Sequence, residues 1–352
     1  MDQSCKLKAL WTRIHWVLGA LLSVPLFLVA LLLLSYLPDL QSDQAIAAFS
    51  LVAVGISTLT VAWKWLEMRQ RTGVCPSIKH STVCRPYFDR NRRIRFDILP
   101  GFWLSCVAGI TTLLCVALTL YIVNELNADY SIWGCTLSLS PIPLYICWEI
   151  RKKEELRVYV VLCILLISAA HFLLNFPSFP PLLEVSLPLL LLILTLCVRN
   201  LTLKHSSTDF SSATSTVLSL LVSGLAGLIY SLFRPSALLF YLETASIMYF
   251  SAGFALYAGF TALNYSIVHG SAAVATAISV FSVSLSTIFM SFSVPLWAKI
   301  AGFSCFLIGA GGLLWDLAVP RSIQQEEKPQ NTAEIDDMEG FYIPLQGGEV
   351  IS

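Results

Sequence analysis

The sequence predicts an all-α membrane protein of about ten transmembrane helices, arranged as two inverted five-helix repeats. Three observations point there. Hydrophobic residues make up 56% of the 352 and charged residues only 12%, with a mean hydropathy of +0.74, so there is too little charge to cover a water-soluble surface. Apolar runs recur along the chain, each long enough to cross a hydrocarbon core of about 30 Å. Lysine and arginine fall on alternate loops, as the positive-inside rule requires of a chain that crosses repeatedly. The formal net charge is zero, so bulk charge gives no reason to expect a nucleic-acid partner.

Residues 1–13 form a short polar start carrying Lys6, Lys8 and Arg13. The first span, near Ile14–Leu37, is longer than a signal-peptide core and lacks a small-residue cleavage site, so it reads as a retained helix. Gln44–Leu66 and Gly101–Val123 flank a basic loop, 67–98, that holds Arg69, Arg71, Lys79, Arg85, Arg90, Arg92, Arg93 and Arg95. Tyr130–Glu149 stops at Arg151, Lys152 and Lys153, which stay hydrated at the cytosolic face. Leu156–Phe176, Leu183–Leu203, Ser212–Phe233, Leu239–Asn264, Ser271–Pro295 and Ala298–Val319 complete the set. The stretch 177–188 and the split at Pro295 leave counts of nine or eleven open. The opposite loops 38–43, 124–129 and 175–184 contain no lysine or arginine, and only Arg234 and Lys299 sit near outer ends, which puts both termini in the cytosol.

Pro141 and Pro143 interrupt the fourth apolar run. Read as mid-membrane breaks, they make either a packing kink or a helix bent around a solute pathway, as in transporters with broken helices. A comparison of halves pairs the stretch from Ser138 with one about 141 residues downstream: a small-residue helix, a short turn, then an apolar helix. That divides the chain into a first repeat at 14–176 and a second at 183–319, followed by a tail at 320–352. Five helices per repeat is odd, so the second half enters from the opposite side.

"LPLLLLILTLCVRNLTLKHSS", "FSAGFALYAGFTALNYSIVHGSAAVATAISVFSVSLSTIF" and "AKIAGFSCFLIGAGGLLW" resemble a repeat-opening helix, the eighth and ninth helices, and the closing glycine-containing helix of the drug/metabolite transporter superfamily, which includes EamA-type permeases and nucleotide-sugar transporters. The resemblance covers 183–319 well and 100–176 less fully. The first two helices and the long basic loop depart from it, and no run resembles the nucleotide-sugar signature. It implies transport of a small organic solute by alternating access, with the third, fourth, eighth and ninth helices around a central cavity.

Candidate substrate-binding residues follow from helical spacing and from that resemblance. On the eighth helix Ser246, Tyr249, Gly253, Tyr257, Phe260 and Asn264 recur every three or four residues, an aromatic face with polar tips, with Gly253 leaving room for a solute. On the ninth, Ser279, Ser282, Ser286 and Ser293 form a second face. Tyr249, Tyr257, Asn264, Ser282 and Ser286, with Ser138 and Ser140 before the prolines, are the expected site; close helix packing is the competing reading of its small residues.

His171 is an intramembrane histidine, with Asn175 one turn away as a mundane partner. The ten cysteines form no disulfide pattern, and Cys75, Cys84 and His80 make too few ligands for a structural zinc site. No metal, cofactor or catalytic centre is therefore expected, and the chain reads as a non-enzyme. The sequons at Asn200 and Asn264 read as cytosolic helix ends, and so as unglycosylated. The acidic tail reads as disordered; its Tyr342–Leu345 segment, "YIPL", fits a clathrin-adaptor sorting pattern and points to the Golgi, endosomes or plasma membrane. The competing functional classes are a non-transporting scaffold or accessory subunit and an integral-membrane enzyme.

Overall fold

The computed structural model describes residues 3–37, 42–72, 84–88, 94–124, 139–152, 157–174, 182–234, 246–290 and 295–318. Ten helices are found among them: α1 Gln3–Ser35, α2 Ser42–Thr72, α3 Pro100–Asn124, α4 Pro141–Lys152, α5 Val158–Leu174, α6 Leu182–Ser206, α7 Ser212–Leu232, α8 Ser246–His269, α9 Ala272–Met290 and α10 Leu296–Ala318. Seven of these, α1, α2, α3, α6, α7, α8 and α10, are long and apolar enough to cross a membrane. That is the architecture of an integral membrane protein, and large exposed residues such as Leu59, Trp63, Leu187, Leu232 and Leu307 fit an apolar solvent.

The structure corrects several expectations. Among the described residues the regular structure is helical but for one antiparallel hairpin, β1 Cys84–Phe88 and β2 Ile94–Ile98, inside the basic loop. The interruption expected at Pro141 and Pro143 falls at a helix start: with 125–138 outside the described residues, residues 139–140 form a turn and the two prolines occupy the first turn of α4. A proline is tolerated there because the first helical N–H groups have no intrahelical acceptor anyway. Helices α6 and α8 run on to Ser206 and His269, so Asn200 and Asn264 lie inside helices, not at their ends. Ser138, Ser293, Asn175, Cys75, His80 and the tail with Tyr342–Leu345 lie outside the described residues, as does the side chain of Ser286.

The principal packing pairs are α1 with α8 and α9, α2 with α7 and α8, α3 with α6 and α7, and α5 with α10; α4 packs on α9 and, less extensively, on α6. Small residues bring many of these helices together. Along α7, Ser215, Ser219, Ser223, Gly227 and Ser231 recur every fourth residue and are all buried, a repeated small-xxx-small ridge that lets backbones approach closely. Gly253 has the same purpose. A Cβ there would sit 3.1 Å from the α2 backbone at Ala48 and Phe49, so this glycine admits a neighbouring helix, not a solute.

One end of the bundle is tied by hydrogen bonds between distant segments. Asp209 Oδ2 accepts from Gly101 N at 2.7 Å, capping the start of α3 from the α6–α7 turn. Lys204 Nζ donates to the carbonyls of Val268 and Gly270 at 2.6 and 2.8 Å, where α8 ends. Ser266 Oγ donates to Trp16 O on α1 at 2.7 Å.

Candidate functional site

The most unusual side chain in the core is Arg199, which is 1% exposed. Its Nε donates to Thr112 Oγ1 at 2.9 Å and its Nη1 to Asn200 Oδ1 at 2.6 Å. Nη2 donates to Asn264 Oδ1. The Phe260 ring lies 4.8 Å from the guanidinium carbon, a cation–π contact. Thr112 is the middle residue of α3, so the charge sits about halfway along a membrane-length helix. Among the described residues no carboxylate pairs with Arg199; their one ion pair is Lys64–Glu67, at 2.9 Å. An uncompensated buried charge costs several kcal/mol even after relaxation, and charged groups at membrane depth are characteristically functional.

The surroundings are fixed as acceptors. The Thr112 hydroxyl gives its proton to Ala108 O and the Thr276 hydroxyl to Ala272 O. Their oxygens therefore accept, from Arg199 and from Asn200 Nδ2 at 2.8 Å respectively. The Asn264 amide nitrogen is buried with no acceptor among the described residues, a cost of about 1–3 kcal/mol in a filled core.

A half-open cavity of about 120 Å³, bordered by α1, α3, α6, α8 and α9, lies about one helical turn from this cluster, whose Arg199 and Asn264 do not themselves line it. Its walls include Phe27, Leu31, Val116, Leu120, Leu192, Leu196 and Phe260, with hydroxyls from Thr119, Ser279 and Ser282. Thr112, Arg199, Asn264 and Thr276 each sit three or four residues from a wall residue of their own helix: Cys115, Leu196, Phe260 and Ser279. Three to four residues is one turn, about 5 Å. Because α3 and α9 begin, and α6 and α8 finish, at the tied end of the bundle, all four lie one turn from the cavity on that same side.

The structure divides the expected site residues. Ser282 lines the cavity, its hydroxyl turned back to Ser279 O at 2.8 Å. Asn264 belongs to the arginine cluster. Tyr249 is buried against α2. Tyr257 does not face Ser282: its hydroxyl is 3.5 Å from Ser57 Oγ on α2, and it borders a separate groove with Leu18, Leu22 and Phe254. Ser140 is buried in the turn before α4, where its carbonyl accepts from Cys197 Sγ at 3.7 Å. The opening expected to be polar is mostly aliphatic. His171 is fully buried in α5 and packs edge-on against Phe281 at 5.8 Å. Among the described residues no three His, Cys, Asp or Glu side chains converge on a metal-sized site.

Arg199 was not among the expected residues. Its signal was present: it lies inside an apolar stretch on the periodic face of Leu192 and Leu196. Lys204 and His205 in the last turn of α6 make the "CVRNLTLKH" run resemble an interfacial basic end.

No protein-family model and no curated protein matches the chain. A solved structure described only as "Crystal structure of protein" superposes with a TM-score of 0.60 at 15% identity, over 85% of this chain and 97% of that one. At that identity the likeness establishes a shared fold.

Proposed function

We propose that the chain is a multi-pass transporter of a small organic solute, working by alternating access between two inverted five-helix repeats, as in the drug/metabolite transporter superfamily. One observation carries this reading: the principal helix pairings among the described residues survive exchanging each helix with the one five places along, although lesser ones such as α8–α9 and α5–α9 have no counterpart. The α1–α8 pair corresponds to α6–α3, α2–α8 to α7–α3, and α1–α9 to α6–α4, while α2–α7, α4–α9 and α5–α10 map onto themselves. Self-mapping pairs are what a two-fold axis between repeats generates. Four of the five cavity helices also come as partners, α1 with α6 and α3 with α8, α9 being the one without its counterpart α4, so the cavity lies close to where such an axis would pass. With an odd number of helices per repeat, the axis lies in the membrane plane.

On this reading the Gly101–Asp209, Lys204–Val268 and Ser266–Trp16 contacts form the closed cytosolic gate, and the cavity is reached from the other side. The experiment is a single cysteine at Ser282, in a chain whose native cysteines have been replaced, exposed to impermeant thiol reagents in sealed vesicles. Alternating access gives labelling from each face. Labelling from one face, or from neither, favours a scaffold. The gate gives a second expectation: Asp209→Ala removes the α3 cap and raises cytosolic-side labelling by about three- to tenfold, in line with a contact of about 1 kcal/mol. Orientation is tested separately. Tags at both termini should be accessible only from the cytosol and Asn200 should carry no glycan; a lumenal tag at either end overturns this topology.

A further inference from the structure

We infer that Arg199 and Asn264 bind the acidic group of a small organic anion whose apolar body fills the adjoining aliphatic cavity; calling that anion the transported solute rests on the transport reading above. Donors and acceptors in the cluster do not balance. A guanidinium carries five N–H groups; three have acceptors, in Thr112, Asn200 and Asn264. The other two make no further hydrogen bond among the described residues, and the Asn264 amide nitrogen makes none. The two threonines cannot supply the deficit, because each hydroxyl already gives its proton to its own helix and accepts from the cluster.

What the cluster lacks is a group made only of acceptors and bearing negative charge. A carboxylate supplies both, and its two oxygens match the fork of a guanidinium and a neighbouring amide. A neutral carbonyl would occupy one donor and leave the charge uncompensated. Size and wall chemistry define the rest of the ligand. The cavity is about 120 Å³ and mostly aliphatic; an apolar cavity of about 150 Å³ stays dry and takes up benzene. An inorganic ion would leave this space empty, whereas a one-ring or short-chain acid fills it.

The test uses the full-length protein, purified in detergent, with benzoate, benzamide and chloride as probes of thermal unfolding and of affinity by calorimetry. Benzoate should raise the unfolding temperature in a dose-dependent way and bind about 10- to 100-fold more tightly than benzamide, the loss expected when a charge-assisted hydrogen bond becomes neutral. Arg199→Gln should remove that preference and Arg199→Lys should keep part of it. Equal binding of benzoate and benzamide, no binding of benzoate, or equal stabilisation by chloride overturns the inference, and none of these depends on a variant folding. Flux in proteoliposomes is read separately. Benzoate bound but never carried removes the transport reading and keeps the anion site; carriage of neutral solutes without benzoate binding does the reverse.

Discussion

Asn264→Asp should make the protein more stable and at the same time abolish anion binding. The substituted side chain keeps the oxygen that accepts from Arg199 Nη2. It replaces the orphaned amide nitrogen with a second acceptor bearing charge, so the cluster receives in cis the carboxylate that it lacks. A hydrogen bond to a charged partner contributes about 1.5–3 kcal/mol, against about 1 for a neutral one. Part of that gain is offset by desolvating the new carboxylate. A net rise of about 1–2 kcal/mol corresponds, for a chain of 352 residues, to a melting temperature higher by about 1–3 °C. Benzoate would then meet an occupied guanidinium and a like charge, and its affinity should fall at least about 30-fold. The two readouts move in opposite directions, which a residue that only packs helices cannot produce. Unchanged benzoate affinity, or lower stability together with weaker binding, would sink the account of Asn264.

Much of the fold is legible because lipid imposes simple rules. A helix must be long and apolar to cross, and its flanking arginines must stay in water, so hydropathy and charge locate the apolar spans of α1, α2, α3, α6, α7, α8 and α10. They do not locate the ends: α1 starts at Gln3, α2 runs on to Thr72 and α8 to His269. The break before α4 is legible, but not its form. Pro141 and Pro143 are incompatible with a helix interior but suit a first turn, and an apolar run does not say which of these it contains. The hairpin at 84–98 could not be read from an arginine-rich loop, because cross-strand pairing such as Tyr87 with Arg95 depends on register and not on composition.

The site was only half legible. Asn264 and Ser282 stand out as polar residues at helical spacing on apolar helices, and both lie at or beside the cavity. Tyr257 shows the same spacing yet turns toward Ser57, because the rotation of α8 is set by Gly253 seating against α2, a contact invisible in one helix alone. Arg199 was hidden by its neighbours in sequence. Its meaning depends on the absence of a carboxylate among the described residues around it, and that is a property of four helices together.

The same rule of close approach gives the largest expected effect on stability. Gly224→Leu should prevent assembly of the α2–α7 pair, whereas Gly55→Leu, on the other member of that pair, should be tolerated. At Gly224 a Cβ alone would lie 2.8 Å from Ser50 O and 2.9 Å from Val54 N. These are backbone atoms of α2, which cannot rotate aside as a side-chain tip does. The two helices would have to separate, and since α7 also packs against α3 the separation would open a second contact. Overpacking of this kind costs about 1–3 kcal/mol for small additions, and three further carbons should exceed what the pair can absorb. Gly55 has nothing within 4 Å of its Cβ position, so an added side chain there projects outward. Alanine makes the contrast cleaner. Gly55→Ala should stabilise α2 by about 0.5–1 kcal/mol through helix propensity, while Gly224→Ala should destabilise despite the same propensity gain. Size-exclusion profiles and melting temperatures of the four variants read this directly. Equal behaviour of Gly224→Leu and Gly55→Leu would mean that α2 and α7 do not approach closely at Gly224, and with that contact one of the self-mapping pairs that support the repeat would be lost.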